Sequence, residues 1–179
     1  MARTKKPARS SPSRARRRQL RWGIGAALVV VALVVGWFAY QSAASLPGTA
    51  VPSQGNAHLS SPTAPHPPYN SDPPTSGPHL TYIAPWGIHE NPIQKELQVH
   101  NLEDGGVLVQ YNCDCPELVA KLREIVQRYP TQVILAPYPG MDRRIALTAW
   151  GRIDKFDELD ERRLVRFINA YRGIDHHVR

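Results

Sequence analysis

The sequence predicts one small α/β domain with a partly parallel sheet, carried on an N-terminal transmembrane helix and a proline-rich linker. Three observations predict it. Two short apolar runs, Val107–Tyr111 and Gln132–Ala136, flank a segment of helical period. A third apolar run, Ile145–Trp150, is followed by a second helical segment, giving the order β-α-β-β-α. All of the basic excess lies ahead of an uncharged stretch about as long as a bilayer is thick.

From the N-terminus, Arg3, Lys5, Lys6, Arg9, Arg14, Arg16, Arg17, Arg18 and Arg21 precede residue 22 with no acid among them. They are nine of 22 basic residues, and the other 13 are outnumbered by 15 acidic ones. The net charge of +7 therefore belongs to a tail, which leaves no basic face on the domain for nucleic acid. Trp22 to Tyr40 is uncharged and apolar, with Trp22 at one end and Trp37 and Tyr40 at the other, where amphipathic rings favour the headgroup level. The expected division is a basic cytoplasmic arm over 1–21, a transmembrane helix over 22–41 in the lipid bilayer, a linker over 42–68 and an extracytoplasmic domain over 69–179. A cleaved secretory signal is the alternative, because Gln41–Leu46 offers small residues to a peptidase. The long basic region and long apolar run favour an uncleaved anchor.

The Pro/Ser/Ala-rich linker has no charge and no apolar period, so it is expected not to fold, and His58 and His66 read as spacer residues. Residues 69–97 carry Pro73, Pro74, Pro78, Pro85 and Pro92 and should wrap over the core, with Tyr82 and Trp86 as packing anchors. Gly105-Gly106 opens the first strand, whose apolar run implies burial on both faces. Pro116 suits a first helical position, Leu118, Val119, Leu122, Ile125, Val126 and Tyr129 line one helix face, and Pro130 ends it. After the second and third strands, Asp160 caps a last helix with Leu164, Val165, Phe167, Ile168 and Tyr171 on one face and Gly173 as its stop. Strand, crossover helix and strand should be parallel and right-handed.

Three groups of residues could carry chemistry. His79 follows the proline-bracketed turn Asp72-Pro-Pro-Thr-Ser-Gly-Pro78, while Glu103 and Asp104 stand three and four positions after His100 and share its face in a helical turn. Imidazole with carboxylate suits zinc or another divalent metal ion, and Gly105-Gly106 lets backbone approach closely. The competing reading has His100 pinning a loop with solvated acids beside it. Cys113 and Cys115 lie between a strand and a helix N-terminus, where a thiol is acidified, and a one-residue spacing is apt to give a strained, reducible disulfide; the competing reading is a static local disulfide or two loop thiols. Asp142-Arg143-Arg144, Arg152 and the terminal Asp175-His176-His177 read as surface charge and a frayed end. No phosphate loop, dinucleotide fingerprint or serine-nucleophile motif is present, so an enzyme is not expected.

Tyr69-Asn-Ser-Asp-Pro-Pro-Thr-Ser-Gly-Pro-His79, Trp86-Gly87, Val99-His-Asn-Leu-Glu-Asp-Gly-Gly106 and Leu147-Thr-Ala-Trp-Gly-Arg152 together resemble the bacterial family named domain of unknown function 3105, over about residues 69–172. The resemblance implies an N-terminal anchor and a single extracytoplasmic domain. The family pattern is His-x-x-Glu-His-Gly-Gly, and Asp104 stands where the second histidine would, which disfavours an imidazole-preferring ion such as copper. An inverted zinc protease needs both histidines on a long helix, which Gly105-Gly106 would end. The reading is thus a membrane-anchored envelope module binding a metal or ligand at His79, His100, Glu103 and Asp104. Its rivals are a tethered thiol redox protein using Cys113 and Cys115, and a module that binds an envelope protein partner with no small-molecule site.

Overall fold

A computed structural model describes residues 22, 24, 25, 27–38 and 45–177. The basic arm over 1–21 lies outside the described residues, as do parts of the apolar run. A helix, α1, covers 27–38 with every side chain exposed. Among the described residues no helix is long and apolar enough to cross a membrane. The chain forms two compact units, Met1–Ser45 and Leu46–Arg179.

The second unit is a mixed α/β fold. Along the chain come β1 (Thr49–Ala50), β2 (Gly87–Ile88), α2 (Lys95–Glu103), β3 (Val107–Tyr111), α3 (Pro116–Val126), β4 (Val133–Pro137), β5 (Ile145–Ala149), β6 (Arg152–Phe156) and α4 (Glu161–Tyr171). They build one six-stranded sheet in the order β1-β6-β5-β3-β4-β2. The unit β3-α3-β4 is parallel as expected, with Val107 opposite Val133, and β2 extends the parallel half. β5, β6 and β1 make the antiparallel half.

Both faces of the central strands are buried, which is why their sequences read as apolar runs. Val107 and Val109, Val133 and Leu135, and Ile145 and Leu147 point to one face, where Leu122 and Ile125 of α3 and Leu164, Phe167 and Ile168 of α4 cover them. Leu108, Ile134 and Ala136 point to the other, against Leu102 of α2 with Ala84 and Ile93. Asp160 caps α4, its Oδ1 accepting from Arg163 N at 3.1 Å, and Pro116 opens α3.

Three elements differ from expectation. β6 was not anticipated, because Arg-Ile-Asp-Lys-Phe carries three charges; it is half-buried and held by a two-residue hairpin through Gly151, whose φ is +64°. α2 shows no apolar stripe, because its buried residues include Gln98, His100, Asn101 and Glu103 beside Val99 and Leu102. The segment read as a spacer is laid on the domain from Leu46 onward. β1 pairs with β6, Val51 N donates to Gly151 O at 2.9 Å, and a short ladder sets 55–59 beside 77–79. A polar extended chain buries little apolar surface, but it satisfies its backbone groups on a strand edge, which composition does not reveal. Tyr82 is 53% exposed and lies outside the core clusters, whereas Trp86 packs against the α2 side of the core.

Candidate metal centre

The proline-bracketed turn is held from several sides. Thr75 and Ser76 are fully buried; Thr75 O accepts from Gly151 N at 2.9 Å, Ser76 Oγ from Gln54 N at 3.0 Å, and Pro78 O from Tyr69 OH at 2.6 Å. The ladder formed by Gly77 N to Gly55 O, His79 N to Ala57 O and Leu59 N to His79 O places His58 beside His79. Leu80 N then donates to Glu96 O at 3.0 Å, and Asn101 grips Ala84 N and O with both ends of its amide. These bonds fix α2 against the turn, so that His100 and Glu103 face His79.

The result is a cluster of His58, His79, His100 and Glu103 whose ligating atoms all lie within 4.8 Å of one another. His79 and Glu103 have no exposed surface and His100 is 9% exposed. Each buried ring has one nitrogen committed to a backbone carbonyl: His79 Nδ1 donates to Gly77 O at 2.7 Å and His100 Nδ1 to Leu80 O at 2.6 Å. A carbonyl only accepts, so in the neutral rings both hydrogens sit on Nδ1 and both Nε2 atoms are left with a lone pair to offer. Burial pushes His79 below the ordinary imidazole range, against the upward pull of the Gly77 carbonyl and the Glu103 carboxylate. A neutral His79 thus sets an Nε2 lone pair 2.9 Å from Glu103 Oε2, two acceptors facing each other. Among the described residues Glu103 Oε1 has no hydrogen-bond partner. Two atoms bound tetrahedrally to one ion at about 2.0–2.2 Å stand about 3.3–3.6 Å apart, so a cation would satisfy both if they separated by about half an ångström.

Asp104, fourth in the expected set, lies on the outer side, with His100 Nε2 3.7 Å and His177 Nε2 3.6 Å from its Oδ1. Residues His100, Asp104 and His177 form a second group of convergent donors. His58, expected to be a spacer residue, and His177, expected to belong to a frayed end, are the further members, and both arrive by backbone pairing. His66 is apart from the cluster, with Nε2 3.2 Å from Glu96. His176, expected to fray, stacks on Trp150 at 5.9 Å, and burial lowers its pKa. Hydrogen bonding to Asp175 raises that of His177.

Cys113 and Cys115 are joined as a disulfide with Cα atoms 5.3 Å apart, inside the usual range of about 4.4–6.8 Å, so the spacing does not force the Cα atoms out of range. Cys115 is the residue before α3. The adjoining cleft of about 440 Å³, lined by Cys115, Leu118, Lys121, Arg144 and Leu159, shares no residue with the histidine cluster. The arginine turn is paired surface charge: Arg143 meets Asp157 at 2.7 Å and Lys155 meets Asp142 at 2.6 Å.

Fold and cluster define an α/β domain with a buried histidine–carboxylate centre. The chain belongs to the family described as Protein of unknown function (DUF3105), whose model matches residues 63–177. No curated protein and no solved structure matches the chain. The family match includes His79, His100, Glu103, Asp104 and His177 and begins after His58.

Proposed function

We propose that this chain is a single-pass membrane protein whose extracytoplasmic domain binds one divalent metal ion of the zinc class at His58, His79, His100 and Glu103. The observation that carries the reading is the pair of buried imidazoles with Nδ1 bonded to carbonyls, one of which sets Nε2 2.9 Å from a buried carboxylate whose second oxygen has no partner among the described residues. Outer hydrogen bonds of this kind fix the tautomer of metal-bound histidine. A set of imidazoles and one carboxylate suits zinc in preference to harder ions, which favour oxygen alone.

The metal content of the full-length chain, purified in detergent without chelator and then incubated with Zn(II), tests this. One equivalent retained after gel filtration is expected, and its loss in His79→Ala and in His100→Ala. Wild-type protein that retains no zinc, or variants that retain it as wild type does, sinks the proposal.

The anchor rests on the uncharged run from Trp22 to Tyr40 and on the basic residues before it, which keep the N-terminus in the cytoplasm. The Cys113–Cys115 disulfide suits a domain outside the reducing cytosol. A reporter enzyme fused after His177 should be active only outside the membrane. Cytoplasmic activity would reverse the topology, and a wholly soluble product would mean that the apolar run is removed.

A further inference from the structure

We propose that His100, Asp104 and His177 form an outer station through which the ion enters and leaves the inner site, a role that rests on the metal-binding reading above. His177 belongs to a strap pinned across the end of α2. Gly173 N donates to Gly105 O at 2.8 Å and His176 N to Glu103 O at 2.9 Å, while the His176 ring stacks on Trp150. Gly105, at φ +76°, is where the strap comes closest: a Cβ there would lie 2.7 Å from Ile174 N and 2.8 Å from its carbonyl oxygen. The strap repeats the geometry of the inner histidines. Asp175 Oδ1 lies 2.7 Å from His177 Nδ1 and takes its hydrogen, which leaves Nε2 turned toward Asp104 at 3.6 Å and Glu103 Oε2 at 3.4 Å. A carboxylate behind a histidine is the arrangement that orients metal-bound imidazole.

His100 decides how the two groups relate. Its Nδ1 is spent on Leu80 O, so only Nε2 can ligate, and it is the member common to both groups. It serves one ion at a time, which makes the groups alternative positions for a single ion. Side-chain exposure is 44% for His58 and 41% for His177 at the two sides of the cluster, 30% for Asp104, 11% for His100 and none for His79 and Glu103, so the most buried ligands are those the ion reaches last. An ion captured at the rim by Asp104 and His177 passes inward by exchanging those two ligands for His58, His79 and Glu103 while His100 keeps hold. The acidic rim concentrates cations at the mouth and acts on rate more than on affinity.

Stopped-flow absorbance of Co(II) binding to the full-length chain in detergent micelles tests the inference, with release followed on adding a chelator. In His177→Ala and in Asp104→Asn, loading and release should both slow by about tenfold while the equilibrium affinity stays within about threefold of wild type. Unchanged affinity also reports an intact fold, and Asp104→Asn, isosteric and at the surface, decides where His177→Ala fails to fold. Wild-type rates in Asp104→Asn overturn the outer station. Lost affinity with faster release overturns it too, because both residues would then belong to the final coordination sphere. A wild-type chain that takes no Co(II) removes the metal-binding reading itself, and the station with it.

Discussion

Glu103→Gln is expected to abolish tight zinc binding and, in the same protein, to make the metal-free domain more stable. Opposite signs from one substitution separate a metal ligand from a structural ion pair. Glu103 is fully buried, its Oε2 faces His79 Nε2 at 2.9 Å, and its Oε1 is unpartnered. Because His79 Nδ1 donates to Gly77 O, His79 Nε2 is an acceptor in the neutral ring, and a carboxylate oxygen without a hydrogen offers it nothing. A glutamine amide of the same shape supplies an N–H to that nitrogen and removes a buried charge. Relief of a buried unsatisfied group should raise the stability of the metal-free chain by about 1–3 kcal/mol. Zinc affinity moves the other way: losing a partner outside the coordination sphere costs about 10–100-fold, and losing a direct anionic ligand should cost more than that. Thermal denaturation with chelator and with Zn(II) reads both effects, since an ion at about 100 times its Kd stabilises by about 2.7 kcal/mol. If Glu103→Gln melts below wild type in chelator, His79 and Glu103 are a buried ion pair, whose breakage costs about 3–5 kcal/mol, and the metal reading loses its main support.

The parts of the fold that were legible in the sequence are those whose burial leaves a one-dimensional trace. β3, β4 and β5 are buried on both faces and so appear as apolar runs; α3 and α4 each cover one face and so show a stripe. α2 leaves no such trace because it packs the α2-side core with Val99 and Leu102 while turning Gln98, His100, Asn101 and Glu103 inward as well. The very residues that build the centre erase the period that would have announced the helix. His79, His100, Glu103 and Asp104 stood out through turn chemistry and short spacing. His58 read as a spacer residue and His177 as part of a frayed end, since the first is delivered by a ladder between residues 55–59 and 77–79 and the second by a strap held at Gly105. Both contacts are backbone-to-backbone, and a backbone hydrogen bond places no demand on the side chains of the polar segments that make it.

That delivery makes the site depend on a residue far from it in sequence, and Phe167→Ala should reveal the dependence. Phe167 is fully buried among the residues of α3, α4 and the sheet, and its ring is also the wall beneath the start of the 46–59 segment. A Cβ on Gly48 would lie 2.8 Å from Phe167 Cε2, which shows how closely the backbone passes over the ring, and Tyr171 OH donates to Pro47 O at 2.6 Å one turn further on. Removing the ring costs its transfer energy and leaves a cavity, about 3–5 kcal/mol together. For a domain of this size that lowers the melting temperature of the metal-free chain by about 10–20 °C. The segment that loses its wall runs on to His58, so zinc affinity should fall as well, although no ligand has been touched. Tyr171→Phe provides the comparison: it removes one hydrogen bond, costs about 1 kcal/mol and leaves the ring packing in place. Melting and zinc titration of both variants check the argument. A loss below about 1 kcal/mol in Phe167→Ala would mean that β1 and the residues after it hold to β6 without the core beneath them, and His58 would then owe its position to the ladder alone.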